Sequence, residues 1–403
     1  MYVNKHNNKL LKVWMDESEF LDDKLLVGQI ENVANLPMLY KWVSLMPDGH
    51  LGYGMPIGGV AALDGFICSN MVGVDIACGM RFARLPLKWD DIKDNVSIEE
   101  ILNKISDAIP TGFSHNKNPD TDFVPSAAEF NALRYIGDEI EVQKIIDSSL
   151  GTLGGGNHFI ALQVDSETND LCIMLHSGSR GFGYKIAKTY NKLAQKSMKE
   201  NYSWMADEFK DLAFFRADSR LGQDYLCAMN CALDFAKKSR LIMMDKAVKA
   251  TKDIISPITR DVWLTKDNID VHHNYASLEN HFGKNVWVHR KGAISARKDE
   301  IGIIPSSMAT PSYIVKGKGN VNSFCSASHG AGRAMGRKEA KRQFTEDMAK
   351  SDLLNANVIT LSKSGNIIEE SPRCYKDIKT VMDNQSDLVE IVSELIPLGN
   401  LIG

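Results

Sequence analysis

The sequence has no Cys-x-x-Cys pair and no His-Glu-x-x-His run. The first absence excludes a zinc finger or ribbon, whose ligands come in tight local pairs, and the second disfavours a metalloprotease. The glycine run Gly154 to Gly156 lacks the lysine of a P-loop, so by itself it is weak ground for a phosphate site. No uninterrupted apolar run approaches the roughly 20 residues a membrane helix needs, and no membrane partner is expected. Met1 to Leu10 is polar and lysine-rich, which predicts no secretory leader. The seven cysteines (68, 78, 172, 227, 231, 325 and 374) are odd in number and scattered, as for reduced thiols in a cytoplasmic protein. Low-complexity segments, internal repeats and Pro/Ser-rich linkers are missing too. What remains is ordinary globular composition: 403 residues, 44% hydrophobic and 24% charged. A net charge of −4 excludes a wholesale basic protein, so any nucleic-acid contact needs a local patch.

Residues 17–36 are amphipathic at helical spacing and end at Pro37. From Trp42 to Leu85 the pattern becomes short apolar runs broken by glycine, and 43–46, 57–63 and 71–74 read as buried strands joined by tight turns. Helical patterns follow at 97–109 and 127–136, then a strand at 171–175 that delivers His176. Long helical patterns cover 182–201 and 223–252, with a less regular stretch between them; Cys227 and Cys231, one turn apart, read as a buried helix face. Strands return at 261–264, 269–272, 285–289 and 312–315, and helices over 336–350 and 378–395 close the chain. The sum is an α+β fold in one interlocked unit, a strand-rich core with a helical insertion at 182–255.

Chemistry gathers where apolar runs end in a polar residue beside glycine. Asp75, Cys78, His158, His176 and His273 all stand at such places, and together offer a carboxylate, a thiolate and three imidazoles. Mixed oxygen, sulfur and nitrogen ligation suits Zn, Mn, Fe or Co better than Mg or Ca, and one thiolate has lone pairs enough to bridge two ions. Alone, each of these histidines reads as a hydrogen-bonded core or turn residue; their shared setting favours a common site. His329 lies in a turn of small residues, Ser326-Ala327-Ser328-His329-Gly330-Ala331-Gly332-Arg333, open to approach by a phosphorus centre. Asp48 and His50 read as site-lining, whereas His6, His115, His272, His281 and His289 read as structural or solvated.

With these segments in hand, the chain resembles the RtcB family of RNA-splicing ligases over nearly its whole length. The resemblance rests on 46–52, the Asp75/Cys78 segment, 151–158, 176–181, 273–275, 289–293, 304–308 and 329–333, in family order. Length and motif spacing are closer to the bacterial members. The resemblance implies an RtcB-like single domain that joins RNA ends carrying a 3′-phosphate or 2′,3′-cyclic phosphate to 5′-hydroxyl ends, in RNA repair or tRNA splicing. It implies GTP and two Mn²⁺ ions, a covalent histidine–GMP intermediate, and an archease-like activator as a candidate partner. His329 would be the nucleophile, and Asp75, Cys78, His158, His176 and His273 the metal ligands. Asn157, His158, Phe159, Ile160, Ala161, His273, Asn274, Pro305, Ser306, Ser307, Met308, Ser312, Gly330, Ala331, Gly332 and Ile402 would line the guanylate site beside His329. Arg180, Arg290, Lys291, Lys316, Lys318, Arg333 and Arg337 lie near these motifs, as an RNA-backbone patch or as a solvated face.

Two positions depart from the family pattern. Ala161 stands where a glutamate is usual, and the chain ends Leu401-Ile402-Gly403 where a lysine-glycine pair is common. Both positions belong to base recognition in the family, so a weakened preference for guanine is expected. The rival readings are a divergent paralogue sealing other ends (DNA 3′-phosphates, damaged tRNA or rRNA) and a catalytically idle RNA-binding or metal-storage relative. The intact ligand set and His329 speak against the second.

Overall fold

The structure is a computed structural model that describes residues 1–6, 9–112, 114–116, 123–256, 267–362 and 367–403. The strand expected at 261–264 lies outside the described residues. Most of the described strands form two main sheets. One has the order Tyr2–His6, Lys9–Val13, Leu39–His50, Ile57–Leu63, Lys284–Lys291, Asn274–His281. The other runs Asp267–His272, Gly79–Lys88, Asp170–Ser177, Phe159–Asp165, Val389–Ile402, Ser312–Gly317, Ile301–Ile304, with Ile359–Ser362 parallel to Val389–Ile402. Its two outermost strands, Asp267–His272 and Ile301–Ile304, approach each other, so this sheet nearly closes into a barrel.

Alternation along the strands decides which side chain goes where. Ile160, Leu162, Ile173 and Leu175 face outward and are buried under two helices, Ile98–Ala108 and Arg220–Ile255. The first helix presents Ile98, Ile101, Leu102 and Ile105 at the spacing of one helical face, and the Ser97 side chain caps the amide of Glu100. Met80, Phe82, Ala161, Cys172 and Met174 point the other way, into the barrel. The second helix buries Cys231 at its core face, as its spacing predicts. Among the described residues no helix is long and apolar enough to cross a membrane.

Several local expectations need correction. The helix expected over 17–36 is two, Glu17–Asp22 and Lys24–Ala34, because Asp23 leaves helical geometry and its side chain accepts from the Leu26 amide to start the second. The 336–350 pattern is likewise broken into Arg337–Gln343 and Glu346–Asn355, where Thr345 caps the amide of Met348. Residues 71–74 are not a strand: a single 3-10 turn, Ser69–Met71, and an irregular loop stand there. The largest error is at the end of the chain. The helix read over 378–395 stops at Asp383, and Val389–Ile402 is a strand hydrogen-bonded on both sides, to Phe159–Asp165 and Ser312–Gly317. A helix over Glu139–Ser149, capped by Asp138, was not expected from the sequence pattern.

Two of the basic residues assigned to an RNA-facing patch are inside the protein. Arg290 is fully buried and donates to both oxygens of Glu279, to Ser326 Oγ (2.9 Å) and to the Phe324 carbonyl (3.0 Å). Lys291 is buried as well, its ammonium held by the carbonyls of Tyr53 and Asn70 (3.1 Å to the latter), and burial lowers its pKa to about 8. Removing one partner of a buried pair costs about 3–5 kcal/mol, and Glu279 would be left with only His281 and the half-exposed Arg297. Arg290→Met is therefore expected to lose that much stability in urea denaturation, and pairing it with Glu279→Gln to restore part of it. An unchanged midpoint for the single variant would contradict this account.

Candidate functional site

Strand register explains how residues 200 positions apart converge. Gly79 stands opposite Ser177 and His272, and His176 stands opposite Phe159 and Met80. The strands are antiparallel, so the start of one and the end of the next share an edge of the sheet. Cys78 precedes Gly79, His158 precedes Phe159, His176 is the penultimate residue of its strand, and His273 follows His272. All four therefore stand at the same rim. Asp75 joins them from the turn closed by the bond from the Cys78 amide to its carbonyl (3.2 Å). This turn packs so closely on Gly178 that a side-chain carbon there would lie 2.2 Å from Asp75 Oδ1.

The donor atoms form two overlapping groups, Cys78–His176–His273 and Asp75–Cys78–His158, within which they lie within 4.8 Å of one another. Cys78 belongs to both. Its sulfur is 3.2 Å from His176 Nε2 and 3.5 Å from His158 Nε2, and His158 Nε2 is 3.1 Å from Asp75 Oδ2. His158 and His176 each donate Nδ1–H to a backbone carbonyl, of Leu153 and Asn157 (3.0 Å each). That fixes the tautomer and turns both Nε2 lone pairs inward. His176 Nε2 also faces His273 Nε2 at 3.4 Å. Burial holds His176 uncharged, down to about 3, and burial with His329 and His176 nearby keeps His273 well below its usual value. Burial opposes ionisation of Asp75 as well, but the His158 ring and Arg180 keep its carboxyl below the ordinary range. Burial and the Asp75 carboxylate push the Cys78 thiol well up. Imidazoles turned onto one thiol and one carboxylate are a donor set that a borderline divalent cation fits.

His329 stands next to this cluster, its ring centroid 4.7 Å from that of His273. The short strand Ser326–Ser328 carries it there by pairing with Ala293–Ser295, whose first amide bonds the His273 carbonyl (3.1 Å). Asp48, fully buried, accepts from His329 Nδ1 (2.6 Å) and from its backbone amide (3.1 Å). Nε2 is thereby left as the free nitrogen. Gly332, at φ +76°, lets the chain fold back over Asp48: a side-chain carbon there would stand 2.3 Å from the Asp48 carbonyl.

A cavity of about 670 Å³ opens beside His329, lined among others by Asp75, Asn157, His158, Phe159, Ala161, His176, Pro305 to Met308, Ser312, Gly330 to Gly332 and Ile402. Most expected lining residues are thus together. Three are not on its wall. Ile160 points to the outer core, as alternation requires. Asn274 bonds the Asp75 carbonyl (3.0 Å) and the Gly292 amide (2.8 Å) through its side-chain amide and so holds two loops together. His273 sits behind His329 with the metal-competent group. Of the basic residues, Arg333 and Arg337 line the cavity, both paired with Glu370, while Arg180 lies 3.3 Å from His158 Nδ1. Lys316 and Lys318 are engaged with Glu390 and the Ser386 carbonyl.

Two contributors have roles that their own sequence positions did not reveal. Asp48 read only as lining, because its partner is 281 residues away in the chain. Arg240, fully buried in the long helix, donates to the carbonyls of Ala77 (2.9 Å) and Ser177 (3.0 Å) and to Asp270. It ties together the loops bearing Cys78 and His176, and it also bonds His272, which keeps its structural role. Gln163 also lines the cavity, and its period-2 relation to Phe159 and Ala161 was the available signal.

Comparison with known proteins places the chain in a family. A family model described as tRNA-splicing ligase RtcB matches residues 29–403. The chain is 40% identical over 382 residues to the RNA-splicing ligase RtcB of Escherichia coli (strain K12), covering 91% of each protein. It is 32% identical to the tRNA-splicing ligase RtcB of Pyrobaculum aerophilum, over 96% of this chain and 92% of that one. Against the RNA-splicing ligase RtcB of Mycobacterium bovis the figure is 29%, over 93% of this chain and 100% of the other.

Proposed function

The chain belongs to the RtcB family of RNA-splicing ligases, and from that premise we propose that it seals RNA 3′-phosphate or 2′,3′-cyclic-phosphate ends to 5′-hydroxyl ends through a guanylylated His329. The observation that carries this reading is the free Nε2 of His329, held by Asp48 at the mouth of a nucleotide-sized cavity and beside a cluster of metal-competent donors.

The steps follow from what these groups do. His329 Nε2 attacks the α-phosphorus of GTP; a P–N bond forms, the P–O bond to pyrophosphate breaks, and pyrophosphate leaves. The ring gains positive charge as it bonds, and the Asp48 carboxylate on Nδ1 balances it. A 2′,3′-cyclic end first takes up water, its P–O2′ bond breaking to leave a 2′-hydroxyl and a 3′-phosphate; an oxygen of the 3′-phosphate then attacks the same phosphorus, breaking P–N and returning a free imidazole. The 5′-hydroxyl attacks the activated 3′-phosphate, and GMP leaves with the bridging oxygen. Asp75, Cys78, His158, His176 and His273 would hold two Mn²⁺ ions, with Cys78 shared. Bound there, such ions supply positive charge against the phosphate oxygens. The backbone of Gly330 to Gly332 lines the cavity beside His329 and suits phosphate as a nest of amides does. An archease-like activator and a cytoplasmic setting belong to the same reading.

The test is direct. The protein is incubated with Mn²⁺ and α-labelled GTP, denatured, and treated with acid or base. The expected adduct is acid-labile and base-stable, and chasing it with RNA bearing a 3′-phosphate and a 5′-hydroxyl partner yields a joined strand. Absence of any adduct across several divalent metals would sink this chemistry and favour the idle relative.

A further inference from the structure

Beyond Phe159 and Ala161, the next inward residue of the same strand is Gln163, which the scheme above does not use. It is 2% exposed and lines the cavity close to Ala161, Pro397 and Asn400. Four residues of strand separate it from Phe159 at the metal-bearing rim, roughly 13 Å at about 3.3 Å per residue. A ribose and a base lie at this depth when their α-phosphate is beside His329.

The amide of Gln163 is half used. Its Nε2 donates to Ser312 Oγ (3.1 Å), while its Oε1 is buried with no hydrogen-bond partner. A buried amide oxygen in that state has lost its water and gained nothing in return. Of the wall residues named with it, Ala161 and Ile402 are apolar, and Asn400 already donates to the Met308 carbonyl (3.1 Å). Ser312 Oγ accepts from the Ser306 amide (3.3 Å), and its own proton rotates freely. The hydroxyl therefore satisfies either end of the Gln163 amide. With Oε1 toward the cavity, the side chain accepts from an exocyclic amine. Turned over, it presents Nε2–H to a carbonyl and takes the Ser312 proton on Oε1. Neither a carboxylate nor an ammonium has this choice.

We propose that the Gln163 amide, backed by the rotatable Ser312 hydroxyl, reads the six-position of a purine, so that the site takes 6-amino and 6-oxo purine nucleotides alike. The proposal rests on the nucleotide reading of this cavity and names the base class that it admits. Adenine offers an amine there, guanine and hypoxanthine a carbonyl, and each gains one neutral hydrogen bond.

Binding of ATP, GTP, inosine triphosphate and purine riboside triphosphate, which has no six-substituent, is measured by competition against a fluorescent nucleotide. The wild type, Gln163→Leu and Gln163→Glu are compared. In the wild type the first three are expected within about tenfold of one another, and purine riboside triphosphate about five- to tenfold weaker, the worth of one neutral hydrogen bond. Gln163→Leu brings all four together. Gln163→Glu, which only accepts, favours ATP over inosine triphosphate by about tenfold or more. A wild type that prefers GTP by a hundredfold or more overturns the proposal, as does purine riboside triphosphate binding as tightly as the rest. Labelling of His329 is read separately. The expected binding pattern with no adduct removes the histidine-transfer reading alone, and an adduct without the pattern removes the Gln163 proposal alone.

Discussion

In the proposed reaction, Asp48→Asn is expected to slow transfer of a nucleotide onto the protein by about 10²–10⁴-fold, and His329→Ala to abolish it. The first loss arises without removing the nucleophile. Asp48 Oδ2 accepts the Nδ1 proton of His329 at 2.6 Å, which keeps the proton off Nε2. An asparagine amide turned toward Nδ1 donates instead, drives the proton to Nε2, and caps the lone pair that must attack phosphorus. The carboxylate also offsets the charge that develops on the ring, a second loss on the same substitution. Both bonds fall on Oδ2, so an amide turned this way also gives up the bond from the His329 backbone at 3.1 Å. The measurement is the single-turnover rate of adduct formation with labelled nucleotide, alongside metal content for each variant. Asp48→Asn labelling at the wild-type rate would show that the contact is ornamental.

In the proposed two-ion arrangement, Cys78→Ser is expected to empty both positions at once. Every other donor belongs to one group, but the Cys78 sulfur belongs to both, 3.2 Å from His176 and 3.5 Å from His158. A serine hydroxyl is a poor bridging anion at neutral pH, and its shorter bond withdraws the donor from both sides. Each ion should then bind at least about 100-fold more weakly, beyond the 10–100-fold that loss of an outer-shell partner costs. Adduct formation should fall below detection. His273→Ala, by contrast, touches one group and should leave one ion bound. Metal content after gel filtration, with Co²⁺ titration to follow thiolate-to-metal absorption, separates the cases. Retention of one tightly bound ion in Cys78→Ser would refute the shared-ligand arrangement.

The clustered residues of the candidate site were largely legible because each sits in a local pattern. Cys78, His158, His176 and His273 mark the ends of apolar runs beside glycine, and such run-ends in antiparallel neighbours meet at one rim. The strand delivering His176 and the two long helices, Arg180–Asn201 and Arg220–Ile255, also follow from local periodicity. Where local patterns served two masters, they misled. Val389–Ile402 has apolar residues at spacings that a helix also permits, and it becomes a strand because Phe159–Asp165 and Ser312–Gly317, distant in the chain, claim both its edges. Arg290 and Lys291 looked like a surface patch because charge prefers water; Glu279 and two backbone carbonyls make their burial tolerable. Asp48 carries no sign of its office until the loop of His329 is folded onto it. The amino-acid sequence by itself determined the family, the α+β class and the inventory of donors, since these depend on residue types and short-range spacing. Only the tertiary structure decided that Cys78 is common to two groups, that Asp48 orients His329, and that Gln163 rather than Ile160 faces the cavity, because those are facts of strand register and of contacts between segments that the chain keeps far apart.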